Sequence, residues 1–111
     1  MEYFVIGESE IVTGFMLAGV KGKAVFNRDD TLEIFKIITG QSSSHALISE
    51  DEKPKILILT EEAADMIQEE VLEWQMKAKP PLIVEVPGLH GHNPNRKSLT
   101  DSIKEAIGIQ I

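Results

Sequence analysis

The stretch that decides the fold is Lys55-Ile56-Leu57-Ile58-Leu59-Thr60, which is followed directly by Glu61-Glu62. A continuous apolar run of this length predicts a strand that is buried on both faces of a parallel sheet. We therefore predict a strand over Lys55–Leu59. Thr60 offers the hydroxyl of a helix N-cap, and the acidic residues behind it suit the positive end of a helix dipole, so a helix is expected to follow.

The same reasoning, applied outward along the chain, predicts three more strands and three more helices. The strands are expected at Tyr3–Ile6, Lys23–Phe26 and Leu82–Val86, and the helices at Glu10–Ala18 behind a Ser9 cap, at Asp30–Thr39 with Asp30 and Glu33 as a capping box, and behind a Ser98 cap up to Ile107. The helix after Thr60 carries a stripe at helical spacing: Ala63, Ile67, Val71 and Trp74. Trp74 is interpreted as the edge of the core.

This alternation of strands and helices predicts an α/β fold. We expect a small four-stranded parallel sheet with helices on both faces, of the flavodoxin-like or Rossmann-like type, plus a C-terminal helix. A chain of 111 residues supports one domain. Within it, residues 1–88 are predicted to form the body and residues 89–111 a linker and C-terminal helix that is mobile or docked. Residues 41–54 read as a long irregular connection.

Composition excludes several classes of function. There are 11 Lys and Arg against 18 Asp and Glu, a net charge of −7, which argues against nonspecific nucleic-acid binding. The absence of cysteine excludes disulfides and thiolate chemistry and suits a reducing cytoplasm. No apolar run reaches the ~20 residues that cross a bilayer. Nine of the acidic residues lie between Glu50 and Glu73, either as a solvated helix face or as a surface for a basic partner.

The motifs that would carry chemistry are incomplete. Gly14 and Gly19 have the glycine separation of a phosphate loop, but Val20 stands where lysine is needed and the pattern falls inside a helix. A receiver domain needs an aspartate after the central strand, where Thr60 stands. His90-Gly91-His92 has no third metal ligand nearby and reads as a surface loop. We therefore predict no catalytic residue, no cofactor and no metal.

Two apolar segments indicate contact surfaces instead. The first predicted helix is apolar nearly all round and has Gly14 in its interior, where glycine costs roughly 0.5–1 kcal/mol relative to alanine. A close backbone approach at Gly14 and a merely well-buried helix are both open at this point. The second segment is the C-terminal helix with its apolar tail, Ile109 and Ile111.

Several segments, in the same order and spacing, resemble the F subunit of the V-type (archaeal and bacterial A/V-type) rotary ATPases. The matching stretches are Val5–Glu8 with Ile11–Val20, then Ile56–Glu61 with Ala64–Ile67, then Pro81–Gly88, and finally Ser102–Ile109. The similarity covers nearly the whole chain. Two features depart from the family pattern: Glu8 stands where an aspartate is usual, and the 41–54 connection is longer.

The resemblance implies a non-catalytic subunit of the central stalk, or rotor, which couples ATP hydrolysis or synthesis in the soluble head to H⁺ or Na⁺ transport. It implies binding to the coiled-coil shaft, which is the D subunit of the same complex, and through it to the catalytic head and the membrane rotor. The chain would be cytoplasmic and peripheral on the membrane, without inserting into it. We expect contacts from Thr13, Gly14, Phe15, Leu17, Leu99, Ile103 and Ile107. The alternative is a stand-alone flavodoxin-like ligand-binding or receiver-type signalling module.

Overall fold

The computed structural model of the chain describes residues 2–41 and 53–91. Four strands form one parallel sheet in the order β2-β1-β3-β4. The elements are β1 (Tyr3–Gly7), α1 (Ser9–Leu17), β2 (Lys21–Ala24), α2 (Arg28–Thr39), β3 (Ile56–Thr60), α3 (Glu61–Met66), α4 (Gln68–Met76) and β4 (Leu82–Val86). The predicted four-stranded parallel α/β sheet is therefore confirmed. The predicted helix behind Ser98 and most of the 41–54 connection lie outside the described residues.

Most of the core lies on one face of the sheet, which we call the three-helix face because α2, α3 and α4 cover it. Alternate strand residues supply its centre: Phe4, Ile6, Leu57 and Leu59 are buried there, with Ile83 packed against them. The predicted stripe of Ala63, Ile67, Val71 and Trp74 is buried in the same cluster. The indole nitrogen of Trp74 donates a hydrogen bond of 3.0 Å to the carbonyl oxygen of Pro81. Trp74 therefore closes the edge of this core, as predicted.

The opposite face, which we call the one-helix face, carries only α1 among the described helices. Its buried cluster contains three residues, Val5, Val12 and Ile58, with partly buried apolar neighbours around them. The neighbours include Phe15 from α1 and Val86 from β4. Helices thus lie on both faces, as predicted, but the cover is uneven.

Two predicted helix starts were wrong by about one turn or less. Helix α1 begins at Ser9 itself, and its cap residue Glu8 makes no side-chain capping bond. Helix α2 begins at Arg28, because the side chain of Asn27 accepts a hydrogen bond of 2.8 Å from the backbone nitrogen of Asp30. Asn27 is thus the cap, in place of the aspartate that the pattern favoured. Gly40 ends α2 with φ 78°, as predicted.

Other observed element boundaries also differ from the predicted ones. The helix predicted after Thr60 is two helices, because the backbone of Ile67 leaves helical geometry with φ −129° and ψ 41°. The second strand is Lys21–Ala24 rather than Lys23–Phe26, and Phe26 is exposed. The cap at Thr60 is confirmed, since its hydroxyl oxygen accepts a hydrogen bond from the backbone nitrogen of Ala63.

The first tight connection depends on Gly7, the last residue of β1. A Cβ atom added there would lie 2.3 Å from the Cγ2 atom of Thr60 on the neighbouring strand. We expect Gly7→Ala to lower the free energy of unfolding by about 1–3 kcal/mol, because the extra methyl group overpacks two central strands. Urea unfolding followed by circular dichroism measures this change.

Gly14→Ala is the matched control, because it makes the same substitution in open space. Gly14 lies inside α1, is exposed, and has no described atom within 4 Å of an added Cβ. There, alanine should raise the free energy of unfolding by about 0.5–1 kcal/mol through helix propensity. Equal effects of the two substitutions would contradict the packing argument for Gly7.

Candidate protein-interaction surface

Helix α1 presents apolar side chains to solvent. Leu17 is 86% exposed and Met16 is 56% exposed, and Val12 alone among the helix residues is fully buried. The interpretation of this segment as a merely well-buried helix was therefore wrong. Exposed apolar groups of this size gathered on one helix are typical of a contact surface rather than of a solvated one.

The four sequence-predicted contact residues in α1 differ in their roles. Thr13, Gly14 and Leu17 are exposed, while Phe15 is half-buried and packs against the Val5–Val12–Ile58 cluster. Phe15 therefore stabilises the fold as well as facing outward. The predicted close approach at Gly14 does not occur within the described part of the chain, where no atom comes within 4 Å of an added Cβ. Packing among the described residues therefore does not explain why a glycine, which weakens a helix, stands at this position.

The strand residues of the one-helix face continue the apolar surface. Register pairs place Tyr3, Ile56 and Leu82 in one row across the sheet, and Val5, Ile58 and Val84 in the next row. Helix α1 lies against β1 and β2, so the β3–β4 half of this face has no described helix over it. Leu82 is accordingly 59% exposed, and Tyr3 and Val84 are 46% and 45% exposed.

We define the apolar contact surface as Gly14, Met16 and Leu17 of α1 together with Tyr3, Leu82 and Val84 of the sheet. The sheet residues were not predicted, because a continuous apolar run indicates burial on both faces. The remaining predicted contact residues, Leu99, Ile103 and Ile107, lie outside the described residues, so they stay a prediction. His90 is exposed, and within residues 2–41 and 53–91 no group of three or more metal-ligating side chains occurs.

The carboxyl edge of the sheet, where such folds bind ligands, is tied together by one side chain. Glu8 follows β1, and its Oε1 atom accepts a hydrogen bond of 2.5 Å from the hydroxyl of Thr60 at the end of β3. Its Oε2 atom accepts a bond of 2.9 Å from the backbone nitrogen of Leu89, beyond β4. Glu8 thus connects the ends of three strands.

This arrangement places a carboxylate of the chain itself at the carboxyl edge, where a cavity of about 490 Å³ has Glu8, Glu10 and Glu62 in its lining. A Cβ atom added to Gly88 would lie 2.4 Å from Glu8 Oε2, so the glycine is required for the close approach of the loop. A phosphate group at this edge would meet the negative charge of Glu8, and Glu10 and Glu62 line the same cavity. The geometry therefore argues against a phosphate-binding site at this edge.

The acidic residues of α3 and α4 mostly face solvent. Glu62, Asp65, Glu69 and Glu73 are exposed, whereas Glu61 is buried at 6% exposure. Glu70 forms an ion pair of 2.6 Å with Arg28, with side-chain exposures of 26% and 54%. Exposed pairs contribute little to stability, roughly 0–1 kcal/mol. The described part of the acidic stretch is thus largely exposed, as both a solvated helix face and a surface for a basic partner require.

The sheet order defines a small α/β domain with a four-stranded parallel sheet. Residues 4–107 match the model of the family described as ATP synthase (F/14-kDa) subunit, and the chain belongs to this family. It is therefore a non-catalytic subunit of a rotary ATP synthase complex. Within the described residues, no helix has the length and apolar character that a membrane crossing requires.

Curated relatives agree with this assignment over the full length. The chain is 31% identical to the F subunit of the A-type ATP synthase of Methanosarcina acetivorans, covering 100% of this chain and 98% of the relative. It is 30% identical to the same subunit of Thermococcus kodakarensis, with 100% and 98% coverage. The subunit of Methanothermobacter thermautotrophicus is 29% identical, with 96% and 92% coverage.

Replacing Glu8 tests the tie at the carboxyl edge. We expect Glu8→Ala to lower the free energy of unfolding by about 1–3 kcal/mol, because it removes two hydrogen bonds to a charged acceptor. The backbone N–H of Leu89 should exchange with solvent faster by hydrogen–deuterium exchange, since it loses its acceptor. Urea unfolding supplies the stability.

Glu10→Ala is the control, since Glu10 lies in the first turn of α1 and is exposed. Its loss should change the free energy of unfolding by less than about 1 kcal/mol through the helix dipole. Unchanged exchange at Leu89 in Glu8→Ala would show that the carboxylate does not hold the loop.

Proposed function

We propose that the chain is a central-stalk, or rotor, subunit of its rotary ATPase and binds the coiled-coil shaft, the D subunit, through the apolar contact surface. Through this shaft it would connect to the catalytic head and to the membrane rotor. Rotation would couple ATP hydrolysis or synthesis to H⁺ or Na⁺ transport. The chain would be cytoplasmic and peripheral on the membrane as part of the complex.

The observation that carries the proposal is the unequal cover of the sheet. The β3–β4 half of the one-helix face has no described helix over it, and α1 exposes Met16 and Leu17 on the same side of the sheet. This arrangement suits an amphipathic partner helix laid across it. Fully burying one such side chain stabilises a contact by about 1.5–3 kcal/mol. Five of the six residues of the surface carry apolar or aromatic side chains that a partner would bury.

Gly14 supports the position of that contact. A residue without a side chain lets a partner backbone approach helix α1 closely, and this would explain a glycine that weakens the free helix. The neighbouring residue, Thr13, is also exposed and supplies a hydroxyl group. The rotor role also needs a stiff body, which the tightly packed three-helix face provides.

Leu17→Glu tests the helical part of the surface. Leu17 is 86% exposed, so the substitution should leave the free energy of unfolding of the isolated chain within about 0.5 kcal/mol. Burying a charge against the shaft should weaken the complex with the shaft subunit by a factor of about ten or more. Co-purification and analytical ultracentrifugation measure the complex.

Met76→Glu provides the matched control. Met76 is also an exposed apolar residue near the end of a helix, but it lies at the end of α4 on the three-helix side. This variant should retain the complex. Equal binding by the Leu17 and Met76 variants would place the shaft contact elsewhere.

Val84→Thr tests the strand part of the surface with an isosteric, β-branched residue. At a site that is 45% exposed, the added hydroxyl should change the stability of the free chain by less than about 0.5 kcal/mol. In the complex the same hydroxyl would be buried without a partner, so affinity for the shaft subunit should fall about five- to thirtyfold.

The opposite pattern would change the interpretation of this half of the face. If Val84→Thr lowers the stability of the free chain by more than about 1 kcal/mol and leaves the complex intact, Val84 is covered within the chain itself. That result would remove β3 and β4 from the proposed shaft contact.

A further inference from the structure

A cavity lies at the amino edge of the sheet, away from the apolar contact surface. Its volume is about 890 Å³, and it lies between the ends of α2 and α4 and the residues that precede β1, β3 and β4. The charged and aromatic residues that line it are Glu2, Lys53, Lys55, Trp74, Lys77 and Lys79. Among the described residues, four lysines and one carboxylate line it, although the chain as a whole has a net charge of −7.

Helix ends account for only two of these lysines. Lys77 is the C-cap residue of α4, with its ammonium 5.5 Å from the centre of the Trp74 ring. The ammonium of Lys53 lies against Gly40 at the end of α2, where an added Cβ would be 2.6 Å away. Positive charge at these positions offsets the negative end of a helix dipole.

The other two lysines have no such function. Lys55 and Lys79 precede strands β3 and β4 and are exposed. Lys55 lies 3.2 Å from Glu2, but this pair is 74% and 64% exposed and is therefore weak. Among the described residues, the lining of the cavity therefore carries more positive than negative charge, in a protein that is acidic overall.

The type of anion follows from the direction of the backbone. In a parallel α/β sheet, the helix N-termini and their free N–H groups lie at the carboxyl edge, whereas this cavity receives helix C-termini. A compact phosphate group would find lysine ammonium groups but no cradle of backbone N–H donors. Several carboxylates spread along a chain match separate, flexible ammonium groups better.

We infer that the lysine cavity binds an acidic segment of a partner protein, in which several glutamate or aspartate side chains pair with Lys55, Lys77 and Lys79. The inference does not rest on the proposed shaft contact, because the cavity lies on the side of α2 and α4 rather than on the one-helix face. Each interaction can therefore fail without the other.

Trp74 reports binding directly, because it is the only tryptophan of the chain and lines the cavity. The experiment titrates the full-length chain with poly-L-glutamate and follows tryptophan fluorescence. We expect a saturable change that weakens as salt is added. Lys55→Glu combined with Lys79→Glu should lower the affinity about tenfold or more, since two attractive charges become repulsive.

The control reverses two charges elsewhere. Lys21→Glu with Lys23→Glu changes the net charge equally, but these exposed residues lie on the edge strand β2 and do not line the cavity. This variant should lose less than about twofold in affinity. If the variant that combines Lys55→Glu with Lys79→Glu does not fold, as judged by circular dichroism, the combination of Lys55→Gln with Lys79→Gln replaces it. The affinity of this second variant for poly-L-glutamate should still fall about threefold or more.

Three results would overturn the inference. One is the absence of a saturable fluorescence change with poly-L-glutamate. Another is equal loss in the two charge-reversed variants, which would show a nonspecific effect of net charge. The third is saturation of the same signal by inorganic phosphate or ATP at similar concentrations, which would assign the cavity to compact phosphates.

Discussion

The handedness of parallel crossovers decides which face of this sheet each helix covers. A right-handed connection places its helix on one face when the chain moves one way across the sheet and on the other face when it moves back. In the order β2-β1-β3-β4, only the step from β1 to β2 runs in the first direction. Among the described helices, α1 is therefore alone on its face, while α2, α3 and α4 cover the other. The exposed apolar surface is a direct consequence of this topology.

The same polarity gives the two edges of the sheet different chemistry. Helices begin at the carboxyl edge, where Glu8 and the Thr60 hydroxyl take up groups that a ligand would need, and where Gly7 and Gly88 allow the close approach. Helices end at the amino edge, where lysines surround the cavity. A fold that often binds phosphates at its strand ends has here placed its own carboxylate at that edge. Among the surfaces of the described residues, an apolar face and a basic cavity are both suited to protein contacts.

Much of the fold could be predicted from local pattern. The apolar run before Thr60, the stripe ending at Trp74 and the glycine that ends α2 each have one dominant physical cause, and each was predicted correctly. Exact helix starts could not be predicted, because neighbouring residues compete for the cap, as Asn27 and Asp30 do. The exposure of Leu82 and Val84 depends on which helix lies above them, and the residue types of the strand alone do not indicate this. Sheet order together with crossover handedness was the signal that could have found it. The tie between Glu8, Thr60 and Leu89 joins residues far apart in sequence, and a single sequence carries no signal for it.

The uneven cover also separates folding from binding. The three-helix face contains the larger buried cluster, including fully buried Phe35, Ile6, Leu57 and Leu59, so most of the burial that stabilises the described body lies there. The one-helix face contributes three buried residues, and its exposed groups add little to the stability of the free chain. Apolar area that stays exposed after folding is available for association with a partner. A partner that covers this face binds the folded state only, so it stabilises the subunit by mass action without any change in the core. For a small domain with marginal stability, such a partner would supply on one face what the chain's own helices supply on the other.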